Sequence, residues 1–352
     1  MIPKISVIIP MYNCQKYIDD CVDSVLKQTL SPIEVILVDD ASTDDTLSYV
    51  RAKYGHKDNV KIITHEKNRG SGAARNTGVD NATGEYISFV DADDFLLNED
   101  SLAVIYDKIK KKDAELLTST TMQLFSNEKQ PEDKLVYTKE PVTEDSVFAP
   151  TKAYALNLIA YEKVAAFPTV KLFRREFMQK NSIKSLETFF YEDAYVSWQA
   201  IMLAKKIVVT PYTFYGYRMS NNSTVRQDNP EKVAKLLASL AQVQKAVDEL
   251  QEKYELNTDE LAPYISRIRH NIFNDAMKLS LFAVNFPLKS EDAAAIINTL
   301  NEVPEEKQPT WLESKLFLTL CQAYADLRNV TAERDWLKNE NKTLMEDKVI
   351  IV

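Results

Sequence analysis

Continuous apolar runs separated by helical periodicity fill the first ninety residues and leave few folds open. Lys4–Ile9 (KISVII), Ile33–Val38 (IEVILV), Val60–Thr64 and Tyr86–Val90 read as strands, rich in β-branched residues, with Pro10 stopping the first. Between them Ile18, Cys21, Val22 and Val25 recur at helical spacing, Ser42 or Thr43 is placed to cap a helix running towards Lys53, and Ser71–Asn81 reads as a third helix. Strands apolar on both sides are buried on both faces. The pattern therefore predicts an α/β fold: a doubly wound, mostly parallel sheet with helices on both faces. Such sheets bind ligands beyond the carboxyl ends of their strands, where strand order reverses.

Those carboxyl ends carry polar and charged residues. The first strand delivers Pro10 and Tyr12, the second Asp39 and Asp40, and the fourth Asp91, Asp93 and Asp94; the turn after the third brings Asn68, Gly70 and, one helical turn on, Arg75. Three carboxylates within four residues repel one another, and a divalent cation shared with substrate phosphates removes that cost. Of the six glycines, four (Gly70, Gly72, Gly78, Gly84) fall between Asn68 and Glu85, where the backbone turns tightly or approaches a partner closely. Neither a Walker loop nor a dinucleotide fingerprint occurs. An aromatic ring, a carboxylate, a guanidinium and an Asp-x-Asp pair would together hold a nucleoside diphosphate: Tyr12 stacking the base, Asp39 accepting from base or ribose, Arg75 and a cation neutralising the phosphates. Singly, each has a plainer reading: Tyr12 as a surface aromatic, Asp39 as a helix-start acid, Arg75 as an exposed helix residue, and the acidic run as a solvated turn.

The 352 residues allow one large domain or two ordinary ones, and 45% apolar with 27% charged residues is the balance of a soluble globular protein. A net charge of −9 argues against a nucleic-acid groove or a polybasic membrane patch. No apolar run reaches membrane-span length and the N-terminus lacks a signal-peptide layout. Three cysteines, Cys14, Cys21 and Cys321, form no disulfide framework and no metal spacing. The expectation is a cytoplasmic protein, with peripheral association at the inner face of the membrane left open. From Pro230 the pattern is helical, Val233, Leu236, Leu237, Leu240, Val243, Val247 and Leu250 tracing one stripe. Val330, Leu337 and Leu344 lie seven apart in the tail, a short polar-seamed coiled-coil signal that would support a homodimer; a helix packed on its own domain fits equally well. The expected organisation is a nucleotide-binding domain over 1–228, an all-helical domain over 229–326 and a terminal helix over 327–352.

SVIIPMYNCQKYIDDCVDSVLKQTL, IEVILVDDASTDDT and NRGSGAARNTGVDNATGEYISFVDADD together resemble the family-two inverting glycosyltransferases of GT-A fold, over roughly Lys4 to Arg226. The resemblance implies transfer of a hexosyl or N-acetylhexosaminyl group, with inversion, from a nucleotide-diphosphate sugar to a hydroxyl of a glycan, lipid-linked or protein-linked acceptor; UDP is the favoured nucleotide. Pro10, Tyr12, Asp39 and Arg75 match the family's nucleotide-site positions, with Asn68 and Asp91 beside them. Asp91 and Asp93 match its metal-binding Asp-x-Asp, Asp93 as the direct ligand of Mg²⁺ or Mn²⁺. Glu192 and Asp193, in YEDAYVSW, resemble its Glu-Asp pair, which implies Asp193 as general base and Glu192 as a supporting or acceptor-orienting residue. Without the resemblance both acids simply complement a helix start. Lys171 and Arg174, in KLFRR, are placed to close the site, or are solvated charges at a helix start. YGYRMSNNSTVR resembles a loop folding over the diphosphate, with Arg218 or Arg226 on phosphate.

The Gln-x-x-Arg-Trp motif of processive synthases is absent, so the resemblance implies an enzyme adding one or a few sugars in bacterial surface-polysaccharide or glycoconjugate synthesis. A sugar nucleotidyltransferase is the enzyme alternative, but PMYNCQKY lacks its glycine-rich loop. A catalytically inactive scaffold assembling through the C-terminal helices is the other, against which Asp91, Asp93 and Asp193 stand intact.

Overall fold

The structure, a computed structural model, describes residues 1–126, 131–136, 142–188, 191–219, 230–269 and 271–272. The expected α/β alternation is present. Strands β1 (Ile5–Met11), β2 (Ile33–Asp39), β3 (Val60–Thr64) and β4 (Tyr86–Phe89) alternate with helices α1 (Ile18–Leu26), α2 (Thr46–Tyr54) and α3 (Ser71–Asn81). Each strand joins the next in parallel, in the order β3-β2-β1-β4, with Ile5 opposite both Ile33 and Tyr86. Strand order reverses at β1, so the crevice for a ligand opens past Met11, Asp39 and Phe89.

The chain continues through β5 (Phe95–Leu96), α4 (Ser101–Lys112), β6 (Leu116–Ser119), β7 (Thr121–Phe125), β8 (Pro131–Val136), β9 (Ser146–Phe148), α5 (Lys152–Ala160), a 3₁₀ turn at Pro168–Val170, β10 (Lys171–Arg174), α6 (Arg175–Asn181), α7 (Glu192–Leu203), β11 (Ile207–Thr210), β12 (Tyr215–Arg218) and α8 (Pro230–Lys253). β10 inserts antiparallel between β4 and β6, β11 runs parallel to β6, and β9 closes the edge antiparallel. Six of the eight strands in this sheet therefore point one way, as the apolar runs predict. A second sheet, β5-β12-β7-β8, is not foreseen by the sequence reading.

Two local expectations are corrected. Pro10 does not stop the first strand: it pairs with Val38 inside β1. It faces the side on which the β4 ladder has already ended at Ile8, so its missing N–H forfeits no ladder bond. Ser42 and Thr43 do not cap α2. Asp45 takes the cap position, while the Ser42 hydroxyl accepts from the Asn13 amide and the Thr43 amide donates to the Asn13 side chain at 2.8 Å.

The core lies between sheet and helices. Ile18, Cys21, Val22 and Val25 form the buried face of α1, packed with Val7, Ile9 and Val35 in one cluster. Each such side chain contributes about 1.5–3 kcal/mol by leaving water. Helix α3 presses so closely on β1 that a Cβ on Gly78 would sit 2.3 Å from Ile8 Cγ2. The contacts divide the chain into two compact units: 1–223 with 246–274, and 224–245 with 275–352. In the first, Val247 and Leu250 of the predicted stripe are buried. The tail positions Val330, Leu337 and Leu344 lie outside the described residues.

Replacing Gly78 by Ala gains about 1 kcal/mol in helix propensity and costs about 1–3 kcal/mol in overpacking. We expect Gly78→Ala to lower stability by up to about 2 kcal/mol in chemical denaturation; a rise would show that α3 and β1 are less tightly packed.

Candidate active site

Two adjacent acids at the end of β2 have different surroundings. Asp39 is 1% exposed; one carboxylate oxygen accepts the Ser42 amide at 3.2 Å, and the other, Oδ1, is buried with no partner. A buried acceptor left unpaired is costly unless a ligand donates to it. Asp40 is fully engaged instead. It accepts from the Arg69 and Gly70 amides at 2.9 and 2.7 Å and bonds His65 Nδ1 at 2.7 Å, while His65 Nε2 meets the Thr77 hydroxyl at 2.8 Å. This clamp fixes the Asn68–Gly70 loop against α3. Asn68 itself is exposed on that loop.

Tyr12 leaves β1 with 47% of its surface exposed. Asn13, which the sequence reading passes over, takes φ 48° and ties the Tyr12 loop to Thr43 and Asp44. A short polar side chain that tolerates a left-handed backbone directly after a strand was the available signal.

The run Asp91-Ala92-Asp93-Asp94 divides its three carboxylates. Asp94 turns inward: it accepts from the Tyr215 hydroxyl at 2.6 Å and the Arg218 amide at 2.8 Å, bolting the turn to β12. The Asp91 amide donates to the Tyr215 hydroxyl at 3.2 Å, and the Cys21 thiol donates to the Asp91 carbonyl at 3.4 Å. The Asp91 and Asp93 carboxylates are not spent on β12. Burial and the charge of Asp91 push Asp93 up to about 6, with its own backbone amide and Arg218 acting the other way. Two carboxylates two residues apart, one held up by the other, fit a divalent cation. Among the described residues no third His, Cys, Asp or Glu completes a cluster with them, so the remaining positions would fall to phosphate oxygens and water.

Arg75 joins this turn to α7. It is 5% exposed, with Nη2 on Asp91 at 2.8 Å and Nη1 on Glu192 at 3.0 Å, while Nε is buried without a partner. Burial opposes its charge, but Asp91, Glu192 and Asp193 outweigh burial and hold its pKa above the ordinary value. Arg75 is therefore committed to carboxylates and is not an exposed helix residue. Glu192 also receives the Ser71 hydroxyl, which makes it a brace within the network. The approach depends on Gly72: a Cβ there would lie 1.9 Å from the Leu186 carbonyl oxygen and 3.0 Å from Glu192 Cβ. Asp193, the next residue of α7, is only partly buried. Burial and the Glu192 charge push it up to about 7, against Arg75 and the Ala194 amide, which donates to it at 2.7 Å.

Three basic residues are placed differently from expectation. Arg218 lies in β12, not in a loop over the diphosphate. It is buried, with Nη2 on Asp20 at 2.9 Å and Nε on the Asp93 carbonyl at 2.9 Å, because four-stranded pairing carries it under the acidic turn. Arg174 pairs opposite Tyr86, at the amino end of β4, so it does not close the site; its guanidinium binds Asp113 at 2.5 Å and the Ala114 carbonyl. Lys171 is at the site's end of the sheet but is not a solvated charge: it is 0% exposed. Arg226 lies outside the described residues.

A sheet of this order, with paired acids at its reversal point and a second acid pair brought across by a buried arginine, has the layout of a GT-A domain. The Glycosyl transferase family 2 model matches residues 6–181, half of the chain. The chain is 31% identical over 235 residues to the uncharacterized glycosyltransferase EpsJ of Bacillus subtilis (strain 168), covering 63% of each. It is 44% identical over 110 residues to the chondroitin synthase of Escherichia coli, 31% of this chain and 16% of that protein. Structures of Staphylococcus aureus TarS 1–349 with UDP and with UDP-GlcNAc superpose with TM-scores of 0.56 and 0.57 at 27% and 26% identity, over 92% of this chain and 88% of theirs. The chain belongs to glycosyl transferase family 2. It spans less than two thirds of the length of EpsJ.

The contrast between the adjacent β2 acids is measurable. Asp40→Ala strands two amides and His65, and should cost about 2–4 kcal/mol in chemical denaturation. Asp39→Ala loses one hydrogen bond and an unsatisfied oxygen, and should stay within about 1 kcal/mol of the parent. Equal losses would show that Asp39 is as structural as Asp40.

Proposed function

We propose that this protein transfers a sugar, with inversion, from a UDP-linked donor to an acceptor hydroxyl. The observation that carries the reading is Arg75, whose single guanidinium bonds Asp91 and Glu192 and so ties the turn that carries Asp93 to the helix start that carries Asp193. The unpaired Asp39 Oδ1 supports a pyrimidine ring N–H as its donor, with the exposed Tyr12 ring as the stacking surface. The UDP and UDP-GlcNAc complexes of TarS support a UDP-linked N-acetylhexosamine among the candidate donors. Names such as chondroitin synthase among the relatives support a glycan acceptor; a lipid-linked or protein-linked glycan fits the same chemistry.

In this reading Asp93, with Asp91, holds Mg²⁺ or Mn²⁺, which when bound neutralises the departing diphosphate. Asp39 and Tyr12 fix the nucleoside. Asp193 accepts the proton of the acceptor hydroxyl as its oxygen attacks the anomeric carbon opposite the leaving phosphate. A single displacement needs one base, and a base poised near 7 suits neutral conditions. Glu192 and Arg75 hold that base in place. Among the described residues no helix is long and apolar enough to cross a membrane. A non-processive enzyme adding one or a few sugars accords with that.

Asp193 works as a carboxylate, so activity should rise with pH along an acid limb whose midpoint is about 7 and then level off. We expect Asp193→Asn to reduce UDP release from UDP-GlcNAc by about 10²–10⁴-fold. Full activity in that variant would overturn the base assignment. Isothermal titration of UDP with Mn²⁺ should show Asp93→Ala binding at least about tenfold more weakly; undiminished Mn²⁺-dependent binding would remove Asp93 from the cation site. Pyrophosphate release from UTP and a sugar phosphate, with no UDP released from UDP-sugars, would make the protein a nucleotidyltransferase instead.

A further inference from the structure

β12 is four residues long, and both of its ends grip the turn that carries Asp91 and Asp93. At its start, the buried Tyr215 hydroxyl donates to Asp94 Oδ2 at 2.6 Å and accepts from the Asp91 amide at 3.2 Å. At its end, the Arg218 amide donates to Asp94 Oδ1 at 2.8 Å, and Arg218 Nε donates to the Asp93 carbonyl at 2.9 Å. Nη2 of the same guanidinium is tied to Asp20 of α1 at 2.9 Å, and the group lies 5.0 and 5.6 Å from the Tyr17 and Phe95 ring centroids. β12 is itself fixed by pairing on both sides, with β5 directly after the turn and with β7. It takes the Asp94 carboxylate. Asp91 and Asp93 it holds by their backbones, which fixes both residues without consuming their side chains.

We infer that Tyr215, with Arg218, is a positioning residue for the cation site: the two hold the turn at the spacing at which the Asp91 and Asp93 side chains can share one metal ion. This rests on the reading of Asp91 and Asp93 as the cation pair given above and adds the residues that aim the pair. Two neighbouring carboxylates repel, so the backbone has to keep them together before a cation arrives. Mg²⁺ in particular demands near-ideal geometry from its oxygen ligands. Partners that orient the direct ligands commonly change metal affinity by about 10–100-fold. Here those partners come from a strand more than a hundred residues further along the chain. A brace that served stability alone would lower the melting point and leave the metal-dependent part of nucleotide binding as it was. A positioning residue changes that part.

The test reads binding, not turnover, in the full-length chain. UDP is titrated calorimetrically at saturating Mn²⁺ and again in EDTA, and the ratio of the two affinities is the metal's contribution. Tyr215→Phe keeps the ring and removes both bonds of the hydroxyl. The ratio should fall by about tenfold or more, with the affinity in EDTA unchanged. An unchanged ratio overturns the proposal, and so does an equal loss of affinity with and without metal. Should Tyr215→Phe not fold, Arg218→Met gives the second reading. It removes a positive charge from beside the turn, which by charge alone would tighten a bound cation. A lower ratio in Arg218→Met therefore reports position, whereas an unchanged or higher ratio overturns the proposal. A parent that binds UDP equally well with Mn²⁺ and with EDTA would overturn the cation reading and this inference with it. A parent with a Mn²⁺-dependent affinity that is inactive on every UDP-sugar would keep the inference and lose the proposed reaction.

Discussion

A buried arginine between two carboxylates holds the candidate site together. Taking a guanidinium and its partners out of water costs several kcal/mol per ion, and removing one member of such a set leaves the others uncompensated. Arg75 on α3 meets Asp91, sixteen residues on, and Glu192, more than a hundred residues on. The first contact is nearly local; the second requires the antiparallel insertion of β10 and the passage of the chain past Gly72 before α7 can start. Ser71, Gly72 and Arg75 lie within five residues of α3 and each acts on Glu192 or on the segment leading to it. The helix start that carries Asp193 is therefore positioned by α3, the same element whose first turn is fixed by the Asp40 clamp.

Residues of one type are divided between structure and chemistry by the partners within reach. Asp40 has two amides and an imidazole, and Asp39 has one amide and an open oxygen. Asp94 has the Tyr215 hydroxyl and the Arg218 amide, whereas the Asp91 carboxylate has one Arg75 nitrogen and Asp93 its own backbone amide. A carboxylate with every lone pair engaged is a framework element; one held in place by its neighbours but incompletely paired is available for a ligand. On that criterion Asp94 belongs with Asp40, although the sequence writes it as one of three equal acids.

Strands β1 to β4 were legible because their signal is local: four runs of β-branched and aromatic residues, with helical spacing between. The location of the acids followed from strand direction alone. What was not legible depends on pairing between distant segments. β5 has two residues and β12 four, one of them glycine, and neither carries a period long enough to register. Arg218 consequently read as part of a mobile loop, although pairing places it under the acidic turn. Lys171 and Arg174 are three apart on a four-residue strand, so one lies at the crevice end of the sheet and the other at the opposite end. The KLFRR composition cannot tell which, because strand direction there is set by β4 and β6 on either side. Ser42 and Thr43 read as helix caps by type, but Asn13 competes for them from across the crevice, and a single strand-exit asparagine gives no warning of that.

The acids at the start of α7 admit two physical accounts, and the local fields separate them. If Glu192 and Asp193 only complemented the positive end of the helix, both would be exposed, and the helix end would favour their charged forms. Instead Glu192 is buried and spent on Arg75 and Ser71. Asp193 is pushed up to about 7 because burial and the Glu192 charge outweigh Arg75 and the helix-start amide. A helix-end field is worth at most about 2 kcal/mol, and here it is overridden. Spending one acid to hold the arginine and raising its neighbour towards neutrality is not needed to terminate a helix. It accords with the proposed role of Asp193 as acceptor of the hydroxyl proton.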